Sequence, residues 1–414
     1  MRIVILAGGS RGDYQPIIPV ARELERRGHQ VAVSASTDFV PWLTSQGVTV
    51  EEVEVDAMAI YRAGDVSAAM AGTGVPGQLT ALQRQAEAMA PELARAIVGL
   101  WPRYDAVVAT ALTLGMVLQM DAADPRPHVL MLFVPALPSR WGDASMFAVR
   151  PGRSWRNLVA GLRSLRPAAA VTTPVVSALV GLGVPRPGPV RALRSAVALP
   201  TFVAHTAEVI TERRVSGRRV RTTGYPFLES PPGTELDRGL EDFLAAGPPP
   251  VYAGFGSQSL DVTRAALRHT VDGALAAGHR VVALRGTGLA EEDDERVHFL
   301  DQAPHDLLFP RMAAVAHHGG AGTTAQALRA GVPQVVVPFA LDQPFFARRV
   351  HEIGVAAAPV PVAEASAARL RAAFEEVADP AVVQRAATVG ARVRAERGPQ
   401  RAADRIEAAL SPGG

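Results

Sequence analysis

Residues 2–34 read RIVILAGGSRGDYQPIIPVARELERRGHQVAVS, and this stretch decides the architecture. Residues 2–7 carry nothing polar after Arg2, the pattern of a strand buried on both faces. Residues 8–13 form a glycine-bearing loop. Pro16 stands in the first turn of a helical pattern running to about Arg27, where its missing N–H leaves no hydrogen bond unmade. Gly28 ends that helix, and residues 29–34 make a second apolar strand. Strand, helix and strand in so short a span form a βαβ unit. That unit predicts an α/β fold with a parallel sheet covered by helices on both faces.

The whole chain is 414 residues long and 48% hydrophobic, which is too much for one ordinary core and suits two domains. Its 42 basic residues nearly balance 40 acidic ones, so no dominant field draws it to nucleic acid. Every basic residue is Arg; without Lys there is neither a Schiff-base partner for pyridoxal phosphate nor a P-loop lysine. Without Cys, disulfides, thiolate nucleophiles and Cys-ligated metals are excluded. The N-terminal apolar run is too short for a signal peptide. The longest apolar stretch, residues 168–184, is interrupted by Pro174, Gly181 and Gly183 and falls short of a membrane span. A cytoplasmic protein without stable membrane insertion is expected.

Further along, residues 106–109 and 129–134 read as buried strands. Between 150 and 166, Trp155, Leu158, Val159, Leu162 and Leu165 recur at helical spacing, with Arg153, Arg156, Arg163 and Arg166 between them. Such a basic amphipathic helix suits peripheral contact with an anionic membrane, the lining of a ligand cleft or an ordinary surface. Residues 223–250 are rich in Pro and Gly and read as a linker. From 251 the βα pattern restarts, with strands over 251–255, 280–284, 297–300, 313–316 and 334–338 and helices over 263–277 and 323–330. The expected organisation is two Rossmann-like, doubly wound domains facing a cleft, at 1–222 and 251–395, with 396–414 a final helix packing back on the first. Ligands of such sheets bind at the strands' carboxyl ends.

Two loops follow strands and open helices: Gly8-Gly9-Ser10-Arg11-Gly12-Asp13 and His317-His318-Gly319-Gly320-Ala321-Gly322-Thr323-Thr324. Glycines admit a ligand close to the backbone, and a helix N-terminus offers unpaired N–H groups to an anion. Gly254-Phe255-Gly256-Ser257 is a third such loop. Together the later two read as a diphosphate pocket. Neither main loop has the Gly-x-Gly-x-x-Gly spacing, and no acid ends the second strand, so a nicotinamide enzyme is disfavoured. Gly8-Gly9-Ser10-Arg11-Gly12 matches a nucleophile elbow, but only seven residues precede Gly8 and no hydrolase scaffold can lie upstream. No metal site is expected. His317 and His318 are adjacent and point apart on an extended backbone, and there is no Asp-x-Asp.

The loop at 317–324, Ala-Gly-Val-Pro at 330–333 and Asp342-Gln343-Pro344 together closely resemble the signature of family-1 glycosyltransferases of the GT-B fold. Gly9-Ser10-Arg11-Gly12-Asp13 resembles the antibiotic and sterol branch of that family. The resemblance implies a nucleoside diphosphate sugar, UDP- or dTDP-linked, as co-substrate and no permanent cofactor. The acceptor would be a small, largely apolar hydroxylated molecule, a natural-product aglycone or else a sterol or lipid. It implies that Ser257, His318, Gly320, Gly322 and Thr323 bind the diphosphate and that Asp342 and Gln343 hold the donor sugar. Gln302 and Ala303 would pair with the base; Gln302 stands where plant members have Trp, and His305 where they have Gln. Ser10, Arg11, Trp141 and Trp155 fall where the acceptor would bind. Asp13 would take the acceptor's proton, giving inversion without a metal. On pattern alone, Asp13 reads equally well as a helix N-cap. A non-catalytic relative that merely binds nucleotide sugar is the competing class, and the joint presence of Asp13, His318, Asp342 and Gln343 argues against it.

Overall fold

The computed structural model describes residues 1–57, 59–60, 74–139, 155–211, 213–215, 218–256, 261–284, 294–302 and 304–411. The chain divides into two compact units, Met1–Leu228 with Arg397–Gly414, and Glu229–Glu396.

The first unit is built on strands β1 (Arg2–Leu6), β2 (Gln30–Ser36), β3 (Val50–Val53), β4 (Ala106–Ala109), β5 (His128–Leu132), β6 (Thr201–Val203), β7 (Arg213–Val215) and β8 (Arg218–Thr222). They lie in the order β3-β2-β1-β4-β5-β6-β8-β7, all parallel except the β7 edge. The opening strand sits inside the sheet: Ile3 pairs with Val31 on one side and Ala106 on the other. That position explains its unbroken apolar sequence, since both faces are covered. Ile3, Ile5, Val31, Val33, Ala106 and Val108 share one core with Ile17, Val20 and Leu24 of helix Ile17–Arg26. Helix Gly398–Leu410 closes the same core through Ala402, Ala403, Ile406 and Leu410, each at most 3% exposed. Arg27 pins the two helices together, its Nη1 donating to Asp404 and Glu407 at 2.7 Å each.

The second unit carries β9 (Val251–Gly254), β10 (Val281–Leu284), β11 (Val297–Leu300), β12 (Ala314–His317) and β13 (Gln334–Val336), parallel in the order β11-β10-β9-β12-β13. Successive residues point to opposite faces of the pleat. Val251, Ala253, Val281, Ala283, Ala314 and Ala316 therefore enter one core with helices Asp261–Ala276 and Ala367–Val377. Tyr252, Val282 and Val315 enter another. Among the described residues no helix is long and apolar enough to cross a membrane.

Three differences from the sequence reading have physical causes. Residues 223–250 are not all linker: Asp237 accepts the Gly239 N–H at 2.8 Å and caps helix Arg238–Ala245. Leu240 and Leu244 of that helix cover Tyr252 and Val282, so the stretch from Glu229 belongs to the second unit. Pro174 does not interrupt its apolar stretch, because helix Trp155–Gly181 runs through it and packs along helix Gly74–Leu100. Pro16 lies just outside the long helix, as the N-cap of Ile17–Arg26, after a separate one-turn helix Arg11–Tyr14.

Candidate functional site

The carboxyl end of β1 is fixed before the first loop begins. The Leu6 carbonyl accepts from Thr110 Oγ1 at 3.0 Å, and the Ala7 N–H donates to Ser34 Oγ at 3.0 Å. Gly9 then takes φ +123°, a region that L side chains rarely adopt. This turn sets Ser10 at the N-cap and Asp13 at the third position of helix Arg11–Tyr14. Asp13 is therefore not the N-cap; its carboxylate folds back over the turn. Asp13 Oδ2 accepts the Ser10 N–H at 2.7 Å and the Ser10 Oγ–H at 3.0 Å. A Cβ on Gly9 would collide with that same oxygen, so Gly9 serves both the backbone turn and the carboxylate. Among the described residues Oδ1 has no hydrogen-bond partner and remains for a ligand. Burial pushes the Asp13 carboxyl above its ordinary value, and the two Ser10 hydrogen bonds oppose the shift.

Aromatic side chains frame this loop. Tyr14 packs on Phe39 at 4.8 Å between ring centroids, and the Arg11 guanidinium lies 4.8 Å over Trp42. Tyr225 is buried edge-on to His205 at 5.4 Å. Burial, helped by the charge of Asp13, raises its hydroxyl pKa.

In the second unit β12 ends at His317, which is fully buried. Its Nδ1 accepts the Gly319 N–H at 3.0 Å, so Nε2 carries the proton and donates to Gln334 Oε1 at 2.9 Å. Burial, then the neighbouring His318, holds its pKa down to about 3. His317 thus shapes the turn, and His318 faces the space the turn encloses. His318 Nδ1 is buried without a hydrogen-bond partner, and burial lowers this imidazole to about 4, leaving it neutral at pH 7. Two glycines clear room around it, and a third lets the turn lie close against β13. A Cβ on Gly320 would stand 2.5 Å from His318 Nε2, one on Gly256 would lie 3.3 Å from Cε1, and one on Gly319 (φ +90°) would meet Val336 at 2.9 Å.

Gly320 is also the N-cap of helix Ala321–Ala330, and having no side chain it cannot satisfy the helix's first N–H groups. The first bond within the helix is Thr324 N–H to Gly320 O at 2.9 Å. The Gly322 and Thr323 amides are left over, and Thr324 Oγ1 is buried unpaired. Such a terminus attracts an anion.

Phe339 packs at 5.9 Å from the His318 ring and leads to the turn before helix Gln343–Glu352. Gln343 Oε1 accepts from the Phe339 and Ala340 N–H groups at 2.9 and 3.0 Å, holding a turn in which Leu341 has φ +52°. Its amide oxygen is thereby committed to the loop, and only the Nε2 amide remains to meet a ligand. Asp342 is the N-cap of that helix. A Cβ on Gly319 would also lie 3.1 Å from the Gln343 carbonyl oxygen, so the His318 turn and the Gln343 turn run close together.

Gln302 is exposed. His305 stacks on Phe309 at 4.3 Å, and its Nε2 lies 3.3 Å from the Tyr252 hydroxyl. Trp155 is 64% exposed at the start of its helix, with Arg156 at 6.0 Å over its ring. Ser257, Ala303 and Trp141 lie outside the described residues. Sequence reasoning missed Phe339, Tyr225 and the double duty of Gly9. The only signal for Gly9 was its place beside Gly8, since a tertiary clash has no local pattern.

Two domain families match the chain: residues 3–114 match the glycosyltransferase family 28 N-terminal domain, and residues 275–409 match the erythromycin biosynthesis protein CIII-like, C-terminal domain. The O-mycaminosyltylonolide 6-deoxyallosyltransferase of Streptomyces fradiae is 33% identical over 98% of this chain and 97% of its own length. A sterol 3-beta-glucosyltransferase of Arabidopsis thaliana is 28% identical over 100% of this chain and 68% of its own. The crystal structure of the glycosyltransferase VinC in complex with dTDP superposes with a TM-score of 0.70 at 22% identity, covering 99% of each chain, and shows the same fold.

Proposed function

The chain belongs to the family-1 glycosyltransferases of the GT-B fold, enzymes that transfer sugars, and on that premise we propose a specific reaction. The sugar of a nucleoside diphosphate donor passes to a hydroxyl of a small, largely apolar natural-product aglycone, with inversion at the anomeric carbon and no metal. One observation carries this reading above the others: a half-buried carboxylate whose Oδ2 is saturated by Ser10 while Oδ1 is left open.

In this mechanism the first unit holds the acceptor, and Asp13 Oδ1 takes the hydroxyl proton as the oxygen attacks. A free carboxylate is a weak base toward an alcohol, so the proton moves late, as bonding develops. The raised Asp13 pKa narrows that gap. The leaving diphosphate gains charge in the transition state. The Gly322 and Thr323 amides, the Thr323 hydroxyl and neutral His318 are its preset donors, and such preorganised donors usually supply a large share of the rate. Gln343 Nε2 and Asp342 would meet hydroxyls of the sugar. The dTDP complex of VinC favours a dTDP-linked donor over a UDP-linked one. The sterol 3-beta-glucosyltransferase relative supports a second reading in which the acceptor is a sterol.

The test is product formation by purified protein from dTDP- and UDP-sugars against a panel of macrolide-type, polyphenolic and sterol acceptors. Proton NMR of the glycoside gives the anomeric configuration. A new glycoside of inverted configuration, formed with chelator present, supports the proposal; retention, or a metal requirement, contradicts it.

A further inference from the structure

A second polar pocket lies wholly within the first unit, and no residue of the Asp13 loop lines it. It encloses about 480 Å³ and is lined by Arg221, Thr222 and Thr223 at the carboxyl end of β8 and by Arg401, Asp404 and Arg405 on helix Gly398–Leu410. Arg401 and Arg405 stand four residues apart and share one helix face. Elsewhere in this unit arginines meet carboxylates, as Arg2 does Asp105, Arg103 does Glu51 and Arg126 does Asp124. Among the described residues Arg221, Arg401 and Arg405 have no such partner. The one carboxylate in the pocket, Asp404, is already engaged by Arg27 at 2.7 Å. Three guanidiniums thus line a concave surface whose single carboxylate is already paired with Arg27.

We propose that this pocket binds the phosphoryl group of a soluble small molecule, independently of the donor. Guanidinium forks match phosphate oxygens with paired, charge-assisted hydrogen bonds. The carboxyl end of a parallel strand is where α/β sheets take ligands. The half-buried Thr222 also lines it. The volume falls in the range of pockets that enclose a small metabolite. Arg401 and Arg405 are exposed and stand outside the residues of the first core, so their replacement should leave the unit folded.

The probe is inorganic pyrophosphate, read by hydrogen–deuterium exchange on the full chain. Exchange at residues 219–224 and 399–406 should slow at least about twofold with pyrophosphate. Arg401→Ala/Arg405→Ala should abolish that protection, with an unchanged thermal midpoint and unchanged protection at 318–324. High salt should weaken the effect. Protection confined to 318–324 and 338–343, or protection of the β8 end that survives the double substitution, would overturn the proposal. An Arg221→Gln variant gives an independent check from the sheet side, with the same loss expected.

Discussion

At the scale of single residues, the first loop is organised around one carboxylate. Ser10 supplies two hydrogen bonds to Asp13 Oδ2, and Gly9 leaves the space in which that oxygen sits. Gly9→Ala puts a methyl group into that space and strains a backbone at φ +123°. We expect turnover to fall by about 10²-fold or more, as for loss of a positioned base, with donor KM unchanged in steady-state kinetics. Ser10→Ala removes one hydrogen bond to a charged group, worth about 1.5–3 kcal/mol. Because Asp13, as the proposed base, must be ionised and burial already raises its pKa, activity should fall on acidification at a pH above the ordinary 3.8 of Asp. The substitution should move that acid limb up by about one pH unit or more, since one unit corresponds to 1.36 kcal/mol. A pH profile of kcat/KM checks it.

Among secondary-structure elements, the turn between β12 and helix Ala321–Ala330 depends on a buried neutral imidazole. His317 holds Gly319 and Gln334 and titrates only near pH 3. In the unfolded chain it takes up a proton near pH 6.5, so below that value the unfolded state binds more protons and stability falls with pH. The loss runs to roughly 1.4 kcal/mol per pH unit for each such imidazole. His317→Gln should flatten the pH dependence of the urea midpoint between pH 6.5 and 4; an unchanged slope would show that His317 is charged in the fold. The strands around this turn were legible because a parallel strand buried on both faces is an apolar run with glycine at its end. Helix Arg238–Ala245 was not, because eight residues between proline-rich stretches give too little periodicity to outweigh their flanks. That the two histidines point apart was legible from their adjacency, but the commitment of Gln343 Oε1 to its own loop was not. It depends on a turn with a left-handed Leu341 that composition does not signal.

Across the whole molecule, the chain leaves the first unit after Leu228 and returns to it at Arg397. Helix Gly398–Leu410 buries Ile406 and Leu410 in the first core, so ending the chain at residue 396 removes apolar burial on the order of 4–6 kcal/mol. Differential scanning calorimetry should show the transition of the first unit lost or lowered while that of the second remains. The sequence could not foresee the Arg27 anchor of this helix, which joins residues nearly the whole chain apart. The central claim is that Asp13 acts on the acceptor while the turn at 318–323 holds the donor, and steady-state kinetics of Asp13→Asn with a dTDP-sugar and a working acceptor test it most directly. We expect kcat to fall by about 10²–10⁴-fold with the donor KM nearly unchanged. A raised donor KM with kcat intact would contradict the account.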